Sequence, residues 1–178
     1  MEDSDSVAVA RAKAGDGDAY RALVDRHSRG VFRLAFRMTG NEQDAEDIVQ
    51  ETFLRAYKQL HRYESRASFG TWLYRIAANC SLDLARSRGR HPQTELLENA
   101  SNAPGPDRLL AGGEVRRTVS ETLDQLSAQE RAAFVLRHFE GQSIEEIASS
   151  LGVSGAAAKH SIFRAVQKLR RALEPLVT

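Results

Sequence analysis

A stretch rich in proline and glycine divides this chain of 178 residues into two parts. Three of its four prolines fall between residues 88 and 113, together with several glycines, and no helical periodicity is sustained there. Such residues break helices and form turns, so regular structure is not expected to run through the stretch. We therefore predict a flexible linker over 89–113, between an N-terminal domain at 15–88 and a C-terminal domain at 114–175.

Apolar residues on both sides of the linker recur at the spacing of an α-helix. Asp18 is predicted to cap a helix that ends near Gly40, and further apolar stripes run from Ala45 to Leu60 and from Trp72 to Leu84. No tract alternates apolar and polar residues in the way that a half-buried strand does. The predicted fold class is therefore all-α, with two small helical domains joined by the linker.

The residue types that carry catalysis or metal binding are sparse and scattered. Cys80 is the only cysteine, which excludes an intramolecular disulfide and a thiol-rich zinc site. The five histidines share no ligand spacing, and the sequence contains no nucleophile–base pair or phosphate-binding loop. We expect neither an enzyme nor a cofactor. The lone thiol, the acidic N-terminus and the absence of a long apolar run favour a cytoplasmic protein.

The C-terminal part has the layout of a helix-turn-helix. Ser127–Glu130 and Ser143–Glu146 have the capping-box form, Gly152 supplies a turn, and Ser154 is placed to cap a longer helix. From Ser154 to Leu173 there are five Lys or Arg residues and no acid. A basic second helix of this kind suits the phosphates and base edges of a DNA major groove. The alternative is a plain helical hairpin with a solvated basic face.

The N-terminal part contains an abrupt change of charge. Five acids and no Lys or Arg lie in 41–54, whereas eight basic residues and two acids lie in 55–91, with aromatic residues between them. Cations bind phosphates and flat side chains stack on exposed bases, so the second segment suits single-stranded nucleic acid. The loop-like residues 63–70 are the predicted place for an unstacked base. As alternatives, Phe69 and Trp72 are core residues and the acids are a solvated helix start.

Two blocks of sequence resemble the extracytoplasmic-function class of bacterial sigma factors. Residues 44–57 and 69–79, DAEDIVQETFLRAY and FGTWLYRIAAN, resemble region two of these proteins. Residues 126–134 and 141–148, with the helix after Ser154, are similar to region four. The resemblance implies a non-enzymatic, two-domain protein that binds core RNA polymerase and promoter DNA. It also implies an anti-sigma factor as a further partner, often one that is linked to the inner membrane.

The same resemblance implies three sets of binding residues. Those predicted to dock on the coiled-coil clamp of the largest polymerase subunit are Asp44, Asp47, Gln50, Glu51 and Phe53. Those predicted to contact and melt the minus-ten element are Arg62, Tyr63, Arg66, Phe69, Trp72, Arg75, Asn79 and Arg86. Those predicted to read the minus-thirty-five element in duplex DNA are Ser154, Lys159, His160, Phe163, Arg164 and Lys168.

Two other functions remain open from the sequence. A regulator that binds duplex operators through its helix-turn-helix would leave the acidic helix and the basic, aromatic segment unexplained. A sigma-like decoy would bind polymerase without opening promoters, and the small residues 155–158 at the start of the recognition helix favour it. Because few side chains there hydrogen-bond to bases, recognition depends on later residues of that helix or on DNA shape.

Overall fold

The computed structural model describes residues 4–90 and 111–177, and these residues form eight α-helices and no strand. The all-α prediction is therefore confirmed. The helices are α1 (Asp5–Lys13), α2 (Gly17–Thr39), α3 (Glu42–Gln59), α4 (Phe69–Arg90), α5 (Ala111–Gln125), α6 (Ala128–His138), α7 (Ile144–Leu151) and α8 (Gly155–Val177). A 3₁₀ turn, Leu60–Arg62, follows α3. The two ends of the predicted linker are helical, and its other residues lie outside the described part of the chain.

The N-terminal helices α2, α3 and α4 pack around large aliphatic side chains. Leu23, Leu34 and Leu73 are fully buried, and α1 packs along α2. The cap of α2 differs from the prediction, because Asp16 and not Asp18 accepts hydrogen bonds from the first backbone N–H groups of the helix. The predicted end of α2 is confirmed, since Gly40 adopts a left-handed conformation with φ 68°.

The C-terminal helices form the predicted helix-turn-helix. Both capping boxes are present, with Ser127 capping α6 and Ser143 capping α7. Gly152 ends α7 with φ 67°, and the Ser154 hydroxyl accepts a hydrogen bond from the third residue of α8 at 3.1 Å. The helix α8 packs on α5, α6 and α7 and so leaves its opposite side to solvent.

The two groups of helices pack against each other, with α6 contacting α2 and α4, and α7 contacting α4. Arg131 of α6 is buried, and its Nε donates to the Arg37 carbonyl at 2.6 Å while Nη1 lies 2.9 Å from Asp124. The Arg37 guanidinium lies over the Phe139 ring, 4.3 Å from its centroid, and 3.6 Å from Glu140. Burial raises the pKa of Glu140, and the nearby arginines oppose that shift.

Substituting the glycine at the junction of the two groups tests this packing. A Cβ atom at Gly40 would lie 3.0 Å from the Asp124 carboxylate and 3.3 Å from the Arg131 guanidinium. Gly152 has nearly the same φ, but a Cβ atom there would meet nothing within 4 Å. We expect Gly152→Ala to lower the free energy of unfolding by about 1–2 kcal/mol through backbone strain alone. Gly40→Ala should lose about 1 kcal/mol more because it also displaces the ion pair.

Thermal or urea unfolding of the full chain measures both losses. Equal losses for the two variants would mean that the junction at Gly40 contributes nothing to stability.

Candidate nucleic-acid interface

Two of the three carboxylates in the predicted docking set, Asp44 and Glu51, are paired within the protein. Asp44 is only 6% exposed, and its two oxygens accept hydrogen bonds from the Arg88 guanidinium at 2.5 and 2.6 Å. Glu51 accepts from Arg55 at 2.7 Å, and the same guanidinium reaches Asp83 at 3.0 Å. These two hydrogen bonds raise the pKa of Arg55 above its ordinary value. Much of the predicted acidic face therefore serves the fold.

The exposed part of α3 is smaller than the sequence indicated. Asp47 and Gln50 lie on the surface as predicted, next to Glu46. Phe53 is 7% exposed and belongs to the core, and Asp44 is also buried. A direct contact of Phe53 or Asp44 with a partner does not fit this burial, because neither side chain has a face left for one.

A groove between α2 and α3 adjoins the exposed residues of α3. It encloses about 520 Å³. Its lining consists of Ser28, Arg29, Phe32, Arg33, Glu46, Val49 and Gln50. Phe32 stacks on Phe36, with centroids 6.2 Å apart, and both rings are half-buried. This groove was not predicted from the sequence, although Phe32 and Phe36 stand four residues apart on α2. The two phenylalanines form a second, short apolar strip along α2, and this strip is the sequence signal that indicates the groove.

Three aromatic side chains cluster where the loop 63–68 meets α4. Tyr63 and Phe69 are 7% and 2% exposed, and each has its ring centroid within 5.6 Å of the Trp72 ring. The Tyr63 hydroxyl donates to the Ala67 carbonyl at 2.7 Å, and burial raises the pKa of that hydroxyl. Tyr63 and Phe69 are therefore core residues, and their predicted stacking on a base does not fit their burial. Trp72 is half-buried.

The loop itself leaves its charged side chains in solvent. Arg62 is exposed, and the Arg66 side chain is 89% exposed, with only Glu64 beside it at 3.0 Å. The Ser68 hydroxyl accepts the Thr71 backbone N–H at 3.1 Å and so starts α4. The loop thus presents polar groups over a buried aromatic floor.

The predicted melting face of α4 is partly covered. Arg75 and Asn79 are half-buried, whereas the Arg86 side chain is 60% exposed. The Nε atom of Arg75 is buried without a hydrogen-bond partner among the described residues. A buried donor of this kind costs free energy unless something binds it, so Arg75 holds an unused N–H group.

The recognition helix α8 exposes most of its predicted contact residues. Lys159, His160 and Arg164 are exposed, and Phe163 is 58% exposed. Lys168 differs, because its ammonium donates to Glu130 of α6 at 2.7 Å. The Ser154 hydroxyl is also occupied, since it caps α8. Four of the six predicted residues therefore form one free surface.

Within residues 4–90 and 111–177, the residue types that could bind a metal or react with a substrate form no cluster outside the surfaces described above. No group of His, Cys, Asp or Glu in these ranges is arranged to hold a metal ion. Burial raises the pKa of the Cys80 thiol, which accepts a long hydrogen bond of 3.9 Å from Thr52. In the same ranges no helix has both the length and the apolar character needed to cross a membrane.

The sequence matches known families over most of its length. Sigma-70 region 2 matches residues 23–91, and Sigma-70, region 4 matches residues 116–169. The RNA polymerase sigma-H factor of Pseudomonas aeruginosa is 33% identical, over 99% of this chain and 97% of that protein. The ECF RNA polymerase sigma-E factor of Haemophilus influenzae is 31% identical, over 98% of this chain and 97% of that protein.

Solved structures share the same arrangement of helices. CnrH, solved in complex with the cytosolic domain of CnrY, is similar with a TM-score of 0.68 and 30% identity, over 97% of this chain and 99% of that chain. RpoE of Bartonella quintana, solved with the anti-sigma factor NepR, has a TM-score of 0.69 over 87% of this chain and 96% of that chain. Its 24% identity supports the fold alone.

The Arg88–Asp44 pair offers a direct test of the internal role assigned to the acids of α3. Arg88→Ala leaves a buried carboxylate without its partner, and we expect it to lower the free energy of unfolding by about 1–3 kcal/mol. Arg86→Ala is the matched control, because Arg86 is exposed and 3.8 Å from an exposed Asp83. It should cost about 0–1 kcal/mol.

Asp44→Asn combined with Arg88→Ala should recover part of the loss, since the unpaired charge is then gone. If Arg88→Ala and Arg86→Ala unfold at the same urea concentration, the pair does not stabilise the fold.

Proposed function

Because this chain belongs to the extracytoplasmic-function sigma factors of the sigma-70 family, we propose how its helices divide the work of starting transcription. The chain directs promoter-specific initiation by RNA polymerase. The observation that carries the assignment of residues is that two exposed surfaces, on α3 and on α8, lie within the region 2 and region 4 matches. We assign polymerase docking and minus-ten recognition to a region 2 domain over 15–88. We assign minus-thirty-five recognition to a region 4 domain over 114–175.

The polymerase docks on the groove between α2 and α3. Asp47 and Gln50 remain exposed there, and Glu46 extends the acidic edge. Phe32 and Val49 give the groove an apolar floor that an aliphatic side chain of the polymerase clamp would cover. A rim of charge around an apolar centre is the usual composition of a protein–protein contact. This surface replaces the buried Phe53 and Asp44 in the predicted docking set.

The minus-ten element binds over the loop 63–68 and the start of α4. Arg62 and Arg66 are exposed and so accessible to phosphates, and the half-buried Trp72 is the most exposed aromatic side chain of the cluster. Arg75 is half-buried, and its guanidinium is assigned to a phosphate or base of the separated strand. Unstacking one base costs a few kcal/mol, which such contacts offset. The work is done by binding, and no catalytic group is needed.

The minus-thirty-five element binds along the exposed side of α8 as duplex DNA. Lys159 and Arg164 supply the cations for the phosphates, and the His160 ring supplies a hydrogen-bonding nitrogen for a base edge. Phe163 is a large exposed apolar side chain on the same side, suited to a thymine methyl group. These residues lie after the small residues 155–158, so base reading starts one turn into the helix.

An anti-sigma factor is the partner proposed for the resting state. RpoE, which shares this fold, was solved with the anti-sigma factor NepR, and the more similar CnrH was solved with the cytosolic domain of CnrY. The groove between α2 and α3 is the surface that such a partner would cover to exclude polymerase. Competition between core polymerase and a co-purified partner for the same chain tests this proposal.

Charge reversal at Asp47 tests the docking surface. Asp47→Arg should raise the dissociation constant for core polymerase about tenfold or more, because it places like charge against a complementary surface. Asp25→Arg is the matched control, since Asp25 is also exposed but lies on α2 outside the groove. Binding measured with labelled protein, with unfolding curves for both variants, separates affinity from stability. Equal affinity of the two variants for core polymerase would show that α3 is not part of the interface.

Salt dependence tests the assignment of α8. Lys159→Ala and Arg164→Ala should each reduce the log–log slope of affinity for the upstream duplex against salt by about one unit. Lys168→Ala should leave that slope unchanged and instead lower stability, because its ammonium is held by Glu130. A slope change for Lys168→Ala as large as for Lys159→Ala would contradict this division.

A further inference from the structure

The helix α1 lies outside the match to region 2, which begins at residue 23. Its buried face consists of Ala8, Val9 and Ala12, which pack against α2. Small side chains on that face let the two helices approach closely. The helix thus packs on the domain proposed over 15–88 from outside its bounds, and the function proposed for that domain involves no residue of α1.

Charged contacts at both ends of α1 fix its position on α2. At the first residue, Asp5 accepts from Arg26 at 3.1 Å and lies 2.8 Å from His27. In the last turn, Arg11 donates two hydrogen bonds to Asp16, the cap of α2, at 3.0 and 2.7 Å. Contacts at two ends resist both sliding and rotation of the helix, so its last residue is held at a defined place.

That last residue, Lys13, reaches the entrance of the loop 63–68. Its ammonium donates to the Tyr63 carbonyl at 2.6 Å, across 50 residues of sequence, and lies 5.7 Å from the centroid of the Tyr63 ring. A charge-assisted hydrogen bond is stronger than a neutral one, and the ring adds a cation–π attraction. The backbone at Tyr63 is therefore held by a hydrogen bond to the last residue of α1.

Tyr63 also contacts α4 and the far end of the loop through its side chain. Its ring packs on Phe69 and Trp72, and its hydroxyl donates to the Ala67 carbonyl. Contacts of the Tyr63 side chain thus connect the beginning of the loop 63–68 to its end and set the distance between them. Among the four partners Lys13, Ala67, Phe69 and Trp72, Lys13 alone comes from outside residues 63–72.

We propose that Lys13 is a positioning residue that sets the shape of the loop 63–68 and through it the base preference at the minus-ten element. This inference rests on the proposed function of the loop. Lys13 acts through the Tyr63 carbonyl, to which its ammonium donates, and the proposal assigns it no contact with DNA. A site that binds a base must be held closely in its productive geometry, and loosening its support lowers selectivity.

Hydrogen–deuterium exchange on the free full-length protein tests the contact without DNA. In Lys13→Met we expect the amides of 63–68 to exchange about tenfold faster, since a hydrogen bond from a charged donor is lost. Lys13→Arg keeps a donor and a charge and should stay within about twofold of the wild type. Arg21→Met, which removes one exposed charge of the same domain, is the control and should leave these amides unchanged. Unchanged exchange in Lys13→Met would overturn the proposal.

Run-off transcription from two promoters that differ at one minus-ten base tests the consequence. Lys13→Met should lower the ratio of initiation between the two about fivefold, with affinity for core polymerase unchanged. Lys13→Arg and Arg21→Met should keep the wild-type ratio. An unchanged ratio in Lys13→Met, or a lower salt slope with the ratio kept, would overturn the inference and leave the proposed function standing. A wild-type chain that initiates at neither promoter would contradict both.

Discussion

The structure depends on the close packing of one helix, α4, between two groups of helices. On one side it contacts α2 and α3, and on the other it contacts α6 and α7. Leu73 of α4 is fully buried, and so are two consecutive small residues, Ala77 and Ala78. Larger side chains at 77 and 78 would force the helices apart, because protein interiors have no spare volume. Since α4 also carries Arg75, the surface proposed to melt DNA is held by the same packing that joins the two domains.

Features that depend on local chemistry could be predicted from the sequence. The helical periods, the capping boxes at Ser127 and Ser143 and the turn at Gly152 all arise within a few residues of one another. The cap of α2 was placed two residues late because Asp16 and Asp18 both precede the apolar stripe, and only the backbone geometry selects Asp16. The helix α1 was missed because its buried face consists of small residues, which give a weak periodic signal.

The candidate site could be predicted only in part, because charge along the sequence does not reveal which charges are paired. The spacing of Asp44, Asp47 and Glu51 places them on one helix face, but Asp44 pairs with Arg88, 44 residues away. The same holds for Lys168, which the pattern groups with the basic face of α8 and the fold gives to Glu130. What remains exposed after such pairing is the surface available to polymerase and DNA, and only the tertiary structure defines it.

The central claim is that this chain directs core RNA polymerase to start transcription at its own promoters. Run-off transcription on genomic fragments, with core polymerase in the presence and absence of the full-length protein, tests it most directly when the new RNA ends are mapped. The account predicts protein-dependent start sites that share two short upstream elements at a fixed spacing. Binding to polymerase without new start sites would indicate a sigma-like decoy. Absence of binding would indicate a regulator that binds only duplex DNA. Either result would contradict the claim.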